Sequence, residues 1–230
     1  MIDVLGESSG SSNGVDNSGH MSAFYDNFVT QAGDFNRNGY ADLLVRGNDG
    51  TLYRIAYDES FNPGRRISLG AGWNRYNRML VARDLSGDGH PDIVGRDASG
   101  NLWMHPATAS GGAGARVKIG SGWNMYNAIV GRGDFSGDGK ADLLARDSTG
   151  DLWLYRGKGN GGFLSRTKAG TGWKSFNAIV GSGDLDHDGR QDILGRTSAG
   201  AVYLYNINST GSFAARKLLT TRWKGYASLS

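Results

Sequence analysis

Four segments decide the fold: Asp34-Phe-Asn-Arg-Asn-Gly-Tyr-Ala-Asp42, Asp84-Leu-Ser-Gly-Asp-Gly-His-Pro-Asp92, Asp134-Phe-Ser-Gly-Asp-Gly-Lys-Ala-Asp142 and Asp184-Leu-Asp-His-Asp-Gly-Arg-Gln-Asp192. They align without a gap and start 50 residues apart each time. Other residues keep the same period: Arg at 46, 96, 146 and 196, Gly at 50, 100, 150 and 200, Arg at 66, 116, 166 and 216, and Trp at 73, 123, 173 and 223. Repetition at a fixed period marks units that cannot bury their apolar faces alone and must stack on their neighbours.

One unit, residues 127 to 176, shows what is repeated. Asn127 to Gly133 carries the apolar pair Ile129 and Val130, and the Asp-rich loop follows. Ala141 to Arg146 is an apolar run that reads as a buried strand. Asp147-Ser-Thr-Gly150 is a turn. Asp151 to Arg156 alternates, with Leu152 and Leu154 on one face and Trp153 and Tyr155 on the other, as in a strand between stacked sheets. Lys158-Gly-Asn-Gly-Gly162 turns again, Phe163 to Ala169 supplies a fourth strand, and Gly170-Thr-Gly-Trp173 is the corner into the next unit. Four short strands in about 50 residues make a propeller blade. The expected fold is all-β, a β-propeller of four four-stranded blades over residues 23–230.

The ends bear on closure. The last unit ends in a corner, Trp223-Lys-Gly-Tyr226, that the first unit, entering at Asn27, lacks. The chain then closes as a four-bladed monomer, or is a sector of a larger ring that pairs with other copies; the closed monomer is the expectation. Residues 1–22 differ in kind. Gly6-Glu-Ser-Ser-Gly-Ser-Ser-Asn-Gly14 is flexible linker chemistry, native or left by a cloning junction at His20-Met21.

Composition agrees with a turn-rich β fold: 38 of 230 residues are Gly and 3 are Pro. Six Trp exclude a disordered chain, and no apolar run reaches the roughly 20 residues of a membrane helix. With no Cys, disulfides, thiolate metal sites and cysteine nucleophiles are excluded together. No signal-peptide pattern opens the sequence, and a chain without Cys is compatible with either side of a membrane. The net charge is +3, yet twelve of the 22 acids lie in the four loops, so the rest of the surface is cationic.

The loops have the chemistry of calcium sites. Oxygen side chains fall at positions 1, 3, 5 and 9: Asp34, Asn36, Asn38 and Asp42; Asp84, Ser86, Asp88 and Asp92; Asp134, Ser136, Asp138 and Asp142; Asp184, Asp186, Asp188 and Asp192. Position 7 offers a backbone carbonyl, from Tyr40, His90, Lys140 and Arg190. Calcium takes six to eight hard oxygen ligands, and the Gly at position 6 lets the backbone turn around them. An EF-hand is excluded, since position 12 is Val45, Gly95, Ala145 or Gly195 and never Glu. Zinc is disfavoured without Cys or clustered His. Up to four Ca²⁺ are expected. Carboxylates number two in the first loop, three in the second and third, and four in the fourth, so the first site should be weakest and the fourth tightest.

The loop pattern Asp-x-[Asn/Ser/Asp]-x-[Asn/Asp]-Gly-x-x-Asp before an apolar strand resembles the FG-GAP/VCBS repeat, including the calcium-binding blades of integrin α-subunit propellers. The Gly-x-Gly-Trp corner and the Arg-Asp-x-x-Gly-x-Leu-Trp hairpin resemble forms common in secreted actinobacterial proteins. The resemblance covers residues 27 to 226. It implies a calcium-stabilised propeller outside the cytoplasm, and no fixed activity, because such repeats serve as lectins, adhesion modules and appendages of secreted hydrolases. Integrin-type propellers have seven blades against four repeats here. The fourth corner, Thr220-Thr-Arg-Trp223, lacks both glycines of the other three.

Catalysis has no obvious constellation. Two of the four His, His90 and His187, lie in the loops, and Glu occurs only at 7 and 59. Binding fits better. Trp73, Trp123, Trp173 and Trp223 each precede an aromatic by three residues: Tyr76, Tyr126, Phe176 and Tyr226. Such pairs either pack the corners or offer a platform to a sugar beside Asn74, Asn77, Asn124 and Asn127. Trp103 and Trp153 read as core, and the periodic Arg46, Arg96, Arg146 and Arg196 as bridges between loops or blades. A glycan is the expected partner, a protein the second, and nucleic acid is not expected. The expected function is that of a secreted, non-catalytic lectin-like or targeting module. The alternative is an adhesion scaffold or an accessory domain of a secreted hydrolase.

Overall fold

The computed structural model describes residues 28–57, 63–208, 211–213 and 216–224. The linker reading of residues 1–22, the entry at 23–27 and Tyr226 lie outside them. Blade 1 comprises β1 (Phe28–Gly33), β2 (Asp42–Arg46), β3 (Leu52–Tyr57) and β4 (Pro63–Ser68). Blade 2 comprises β5 (Tyr76–Ala82), β6 (Asp92–Asp97), β7 (Leu102–Pro106) and β8 (Val117–Gly120). Blade 3 comprises β9 (Tyr126–Gly133), β10 (Asp142–Asp147), β11 (Leu152–Tyr155) and β12 (Thr167–Gly170). Blade 4 comprises β13 (Phe176–Gly183), β14 (Asp192–Thr197), β15 (Val202–Asn206) and β16 (Lys217–Thr220). Each blade is an antiparallel meander in sequence order, and together they form a four-bladed β-propeller.

The second strand of each blade is apolar on both faces because it is covered on both. In β10, Asp142, Leu143, Leu144 and Ala145 are all buried. The fourth strand is shorter than the sequence suggests. In blade 3 it begins at Thr167, and Phe163 makes only an isolated bridge to Gly157 before turning its ring into the neighbouring corner. Three corners form a single 3-10 turn, Trp73–Arg75, Trp123–Met125 and Trp173–Ser175, each entered through a left-handed glycine. Each corner Trp donates its backbone N–H to the hairpin glycine of its own blade: Gly50, Gly100, Gly150 and, for Trp223, Gly200.

The cores lie between blades. Phe35, Leu44, Leu52 and Trp73 of blade 1 pack on Tyr76, Met79, Val81 and Ile93 of blade 2. Leu85, Val94, Leu102 and Trp123 then pack on Tyr126, Ile129 and Leu143 of blade 3. Phe135, Leu144, Leu152 and Trp173 pack on Phe176, Ile179 and Ile193 of blade 4. Arginine ties each joint. Nη1 of Arg46, Arg96 and Arg146 donates to the carbonyl of the corner Trp and to that of the first residue of the next blade, Tyr76, Tyr126 or Phe176. Hydrogen bonds from a charged donor contribute roughly 1.5–3 kcal/mol each. The other periodic arginine stacks on an aromatic of the third strand: Arg66 on Tyr53, Arg116 on Trp103, Arg166 on Trp153 and Arg216 on Tyr203. Trp103 and Trp153 are therefore half-buried beneath arginine rather than full core, and their Nε1 donates to Asp97 and Asp147.

The fourth joint differs. Leu185 is 47% exposed where Leu85 is 1%, and Trp223 is 42% exposed where Trp123 is 4%. At the other end Val29 is exposed, whereas Met79, Ile129 and Ile179 at the same repeat position are buried. Blade 4 thus keeps its own sheet but leaves part of its trailing face without the cover that blades 2, 3 and 4 give their predecessors.

Candidate metal loops and an open inter-blade cavity

Each Asp-rich loop is wound by its own carboxylates. The first aspartate accepts the N–H of position 5 on one oxygen and that of the position-6 glycine on the other; for Asp84 these distances are 3.0 Å to Asp88 and 2.7 Å to Gly89. The same pair of bonds recurs at Asp34, Asp134 and Asp184. The side chain at position 5 accepts the N–H of position 7, at Asn38, Asp88, Asp138 and Asp188. The position-6 glycines have φ between +84° and +91°. Position 4 is left-handed as well, filled by Gly87 and Gly137 in two loops but by Arg37 (φ 58) and His187 (φ 61) in the others. The Gly at position 4 of the second and third loops was the sequence signal for this.

The ninth residue closes each loop from beneath. Asp42, Asp92, Asp142 and Asp192 are fully buried. One oxygen of each accepts backbone N–H bonds from the start of its loop: Leu85 and Ser86 to Asp92 at 2.7 and 2.8 Å, and Leu185 to Asp192 at 2.7 Å. The other oxygen of Asp42, Asp92 and Asp192 is buried without a partner, while that of Asp142 accepts the N–H of Gly157. Burial pushes the Asp92 carboxyl up to about 7 and that of Asp142 to about 6. Carboxylates in this state are poorly compensated by the protein alone. In the fourth loop, carboxylate oxygens of Asp184, Asp186 and Asp188 lie within 4.8 Å of one another. An orphaned buried oxygen beneath converging side-chain oxygens is the arrangement a hard divalent cation satisfies. Among the described residues the carboxylates converge in the fourth loop, and the orphaned oxygen lies beneath the first, second and fourth.

The predicted aromatic pairs occupy the corners. Trp73, Trp123 and Trp173 are buried, and their indoles stack on the next blade: His105 at 4.3 Å, Tyr155 at 4.5 Å and Tyr205 at 4.5 Å between ring centroids. Tyr76, Tyr126 and Phe176 are buried against the same rings. Most of each indole face is thus covered from within the chain. Trp223 is exposed and lacks a 3-10 turn among the described residues.

Of the three corners with a buried Trp, the first remains open. A cavity of about 280 Å³ lies where Trp73 meets blade 2, lined among others by Trp73, Arg75, Tyr76, His105, Ala113 and Arg116. At the second corner Phe163 sits 6.2 Å from Trp123, and at the third Phe213 sits 4.8 Å from Trp173. Ala113 holds that repeat position at the first corner and leaves the space unfilled. The aligned triplet Ala113, Phe163, Phe213 was the available sequence signal. His105 is fixed within the wall: its Nδ1–H donates to the Gly114 carbonyl at 3.2 Å, so Nε2 accepts from the Tyr76 hydroxyl at 2.8 Å. Burial first, then the nearby Arg116 and Arg75, lowers its pKa, which keeps it neutral. Arg75 and Arg116 are exposed at the rim, and among the described residues no carboxylate lines the cavity. A second cavity, of about 330 Å³, lies on the loop side between blades 3 and 4, lined by Arg83, Asp134, Arg190 and Asn208 among others.

A profile described as FG-GAP-like repeat matches residues 34–95, 84–145 and 134–195. The chain belongs to the FG-GAP-like repeat family. These matches begin at the first aspartate of a loop and end within the second strand of the following blade, so each spans one of the joints described above. No curated protein matches the chain. Among solved structures, it is similar to an Agrocybe aegerita lectin described as recognising non-reducing terminal N-acetylglucosamine, at 24% identity and a TM-score of 0.56 over 86% of this chain and 53% of that one. It is also similar to the BP39L lectin of Burkholderia pseudomallei, at 13% identity and a TM-score of 0.57 over 84% and 55% of the two chains. At these identities the likeness is one of fold. The chain spans about half the length of these lectins. No helix among the described residues is long and apolar enough to cross a membrane.

Proposed function

We propose that this FG-GAP-like chain is a secreted, non-catalytic carbohydrate-binding module whose propeller is held by calcium, and that its glycan site is the open cavity of the first corner. The observation that carries the reading is the exchange of Phe163 and Phe213 for Ala113. It makes a walled recess at the first corner where the second and third corners are plugged. The edges of Trp73 and Tyr76 supply apolar wall, and the Arg75 and Arg116 guanidiniums supply donors at the rim. Two lectins among the structural neighbours support the reading.

The polar groups define the ligand class. Two cations and no carboxylate face the cavity, so a sugar bearing a carboxylate or sulfate is favoured over a neutral one. Glycosidases need a pair of carboxyl groups about 5–9.5 Å apart, and this cavity has none to offer. Calcium enters as a structural ion, filling the orphaned oxygens of Asp92 and Asp192.

Titration calorimetry with uronic-acid, sulfated and neutral oligosaccharides, at fixed calcium, tests the proposal. Binding of an acidic sugar that is lost in Ala113→Phe and weakened in Arg116→Gln is expected. Equal affinity of wild type and Ala113→Phe for the same sugar would place the site elsewhere.

A further inference from the structure

Blade 1 departs from its siblings at one buried position. The third-strand residue that is Met104, Leu154 and Leu204 in blades 2 to 4 is Arg54 in blade 1. Arg54 is 4% exposed, and its Nε and Nη1 are buried without a hydrogen-bond partner. It points at the first Asp-rich loop. A Cβ placed on Gly111, in the blade 2 hairpin that crosses this loop, would collide with Arg54 Nη1 and lie 2.8 Å from the Cβ of Asn36, the third residue of the loop. The guanidinium therefore sits beside the loop's donor set. Its charge also acts on Asp42, whose Oδ1 is the other buried, unpartnered group there.

We infer that Arg54 is the resident cation of the first Asp-rich loop, and that this loop, unlike the other three, does not take up calcium. The inference rests on the calcium reading proposed above and limits it to three ions. Two observations converge. The first loop carries only two carboxylates, Asp34 and Asp42, with Asn36 and Asn38 between them. The charge of Arg54 beside the loop is permanent, because a guanidinium does not deprotonate in a protein. A divalent ion entering this loop would have to sit against that buried charge with fewer anionic ligands than in any other loop. Neither obstacle exists at Asp84–Asp92, Asp134–Asp142 or Asp184–Asp192, where the matching side chains are apolar. Nε and Nη1 of Arg54 and Oδ1 of Asp42 do not bond each other, but the Arg54 charge favours the ionised Asp42 carboxylate through space.

Calcium stoichiometry by native mass spectrometry, supported by titration calorimetry with calcium alone, tests this on the whole chain. Three ions per chain are expected. Asp34→Asn should leave three, and Asp134→Asn should leave two. The double variant Arg54→Met/Asn38→Asp, which gives the first loop the second loop's three carboxylates and its Met on the third strand, should bind four. Circular dichroism checks that each variant is folded. Four ions in the wild type, falling to three in Asp34→Asn, would overturn the inference and leave the calcium reading intact. No bound calcium at millimolar concentration would defeat the calcium reading and this inference with it. A folded double variant that still binds three would show that Arg54 is not what excludes the ion.

Discussion

Leu85 and Leu185 occupy the same place in successive pairs of repeats, the second position of an Asp-rich loop, and they meet different fates. Leu85 is 1% exposed in the core between blades 2 and 3, whereas Leu185 is 47% exposed. Truncating both to alanine removes the same atoms from the same local backbone, so the difference isolates the cover given by the next blade. A buried Leu→Ala change costs about 2–5 kcal/mol, through lost transfer energy and the cavity left behind. A half-exposed leucine buries about half the area and leaves no closed cavity, so Leu185→Ala should cost about 1 kcal/mol or less. In a chain of this size 1 kcal/mol moves the melting temperature by about 2–4 °C. Leu85→Ala should therefore melt roughly 4–20 °C below the wild type, and Leu185→Ala only a few degrees below. The assay is thermal and urea unfolding at one fixed calcium concentration, because both residues donate a backbone N–H to the ninth aspartate of their loops. Equal losses in the two variants would mean that the trailing face of blade 4 is covered in solution, and the reading of the fourth joint would fail.

The remaining predictions concern charge and ligand. Burial holds the Asp92 carboxyl near 7, above its ordinary value, so the folded metal-free protein binds a proton that the unfolded chain releases near 4. Metal-free stability should then fall as pH rises from about 4 to 7, and calcium affinity should rise over the same interval; chelated samples melted at pH 5 and 7.5 check the sign. Asp97 behaves oppositely. The Trp103 Nε1–H bond, with those from Asn101, holds it at about 2, so its contribution is complete above about 4 and disappears as pH falls through about 2. The stability gap between wild type and Asp97→Asn should close over that window in acid titrations. Removing calcium should lower the melting temperature by roughly 5–10 °C for each site previously saturated a hundredfold over its dissociation constant. An unchanged melt after verified metal removal would refute a structural role for the ion. Ala113→Phe should abolish glycan binding and leave the melt within a few degrees of wild type.

Much of this architecture was legible because it is repeated. The 50-residue period of the Asp-rich loops placed four blades and the turns between their strands, and the apolar run at Ala141–Arg146 marked the buried second strand. Its neighbours were less clear. Phe163 looked like the start of the fourth strand because an aromatic suits a strand, yet its ring is drawn into the Trp123 corner and the strand begins at Thr167. The corner tryptophans carried two readings in the sequence, and only their stacking on His105, Tyr155 and Tyr205 shows how little of each indole is left open. What distinguishes one repeat from another was the hardest to read. Ala113 and Arg54 are single departures from a periodic pattern, and their meaning depends on residues in an adjacent blade. The exposure of Leu185 and Val29 depends on how the first and last blades sit at the two ends of the series, which no local pattern encodes.

The most direct test of the functional account is a crystal grown in calcium and soaked with the acidic oligosaccharide that binds best in solution. The account predicts ligand density in the first corner, between Trp73 and Arg116, with none at the corners filled by Phe163 and Phe213. Ligand bound at another surface with the first corner empty would contradict it.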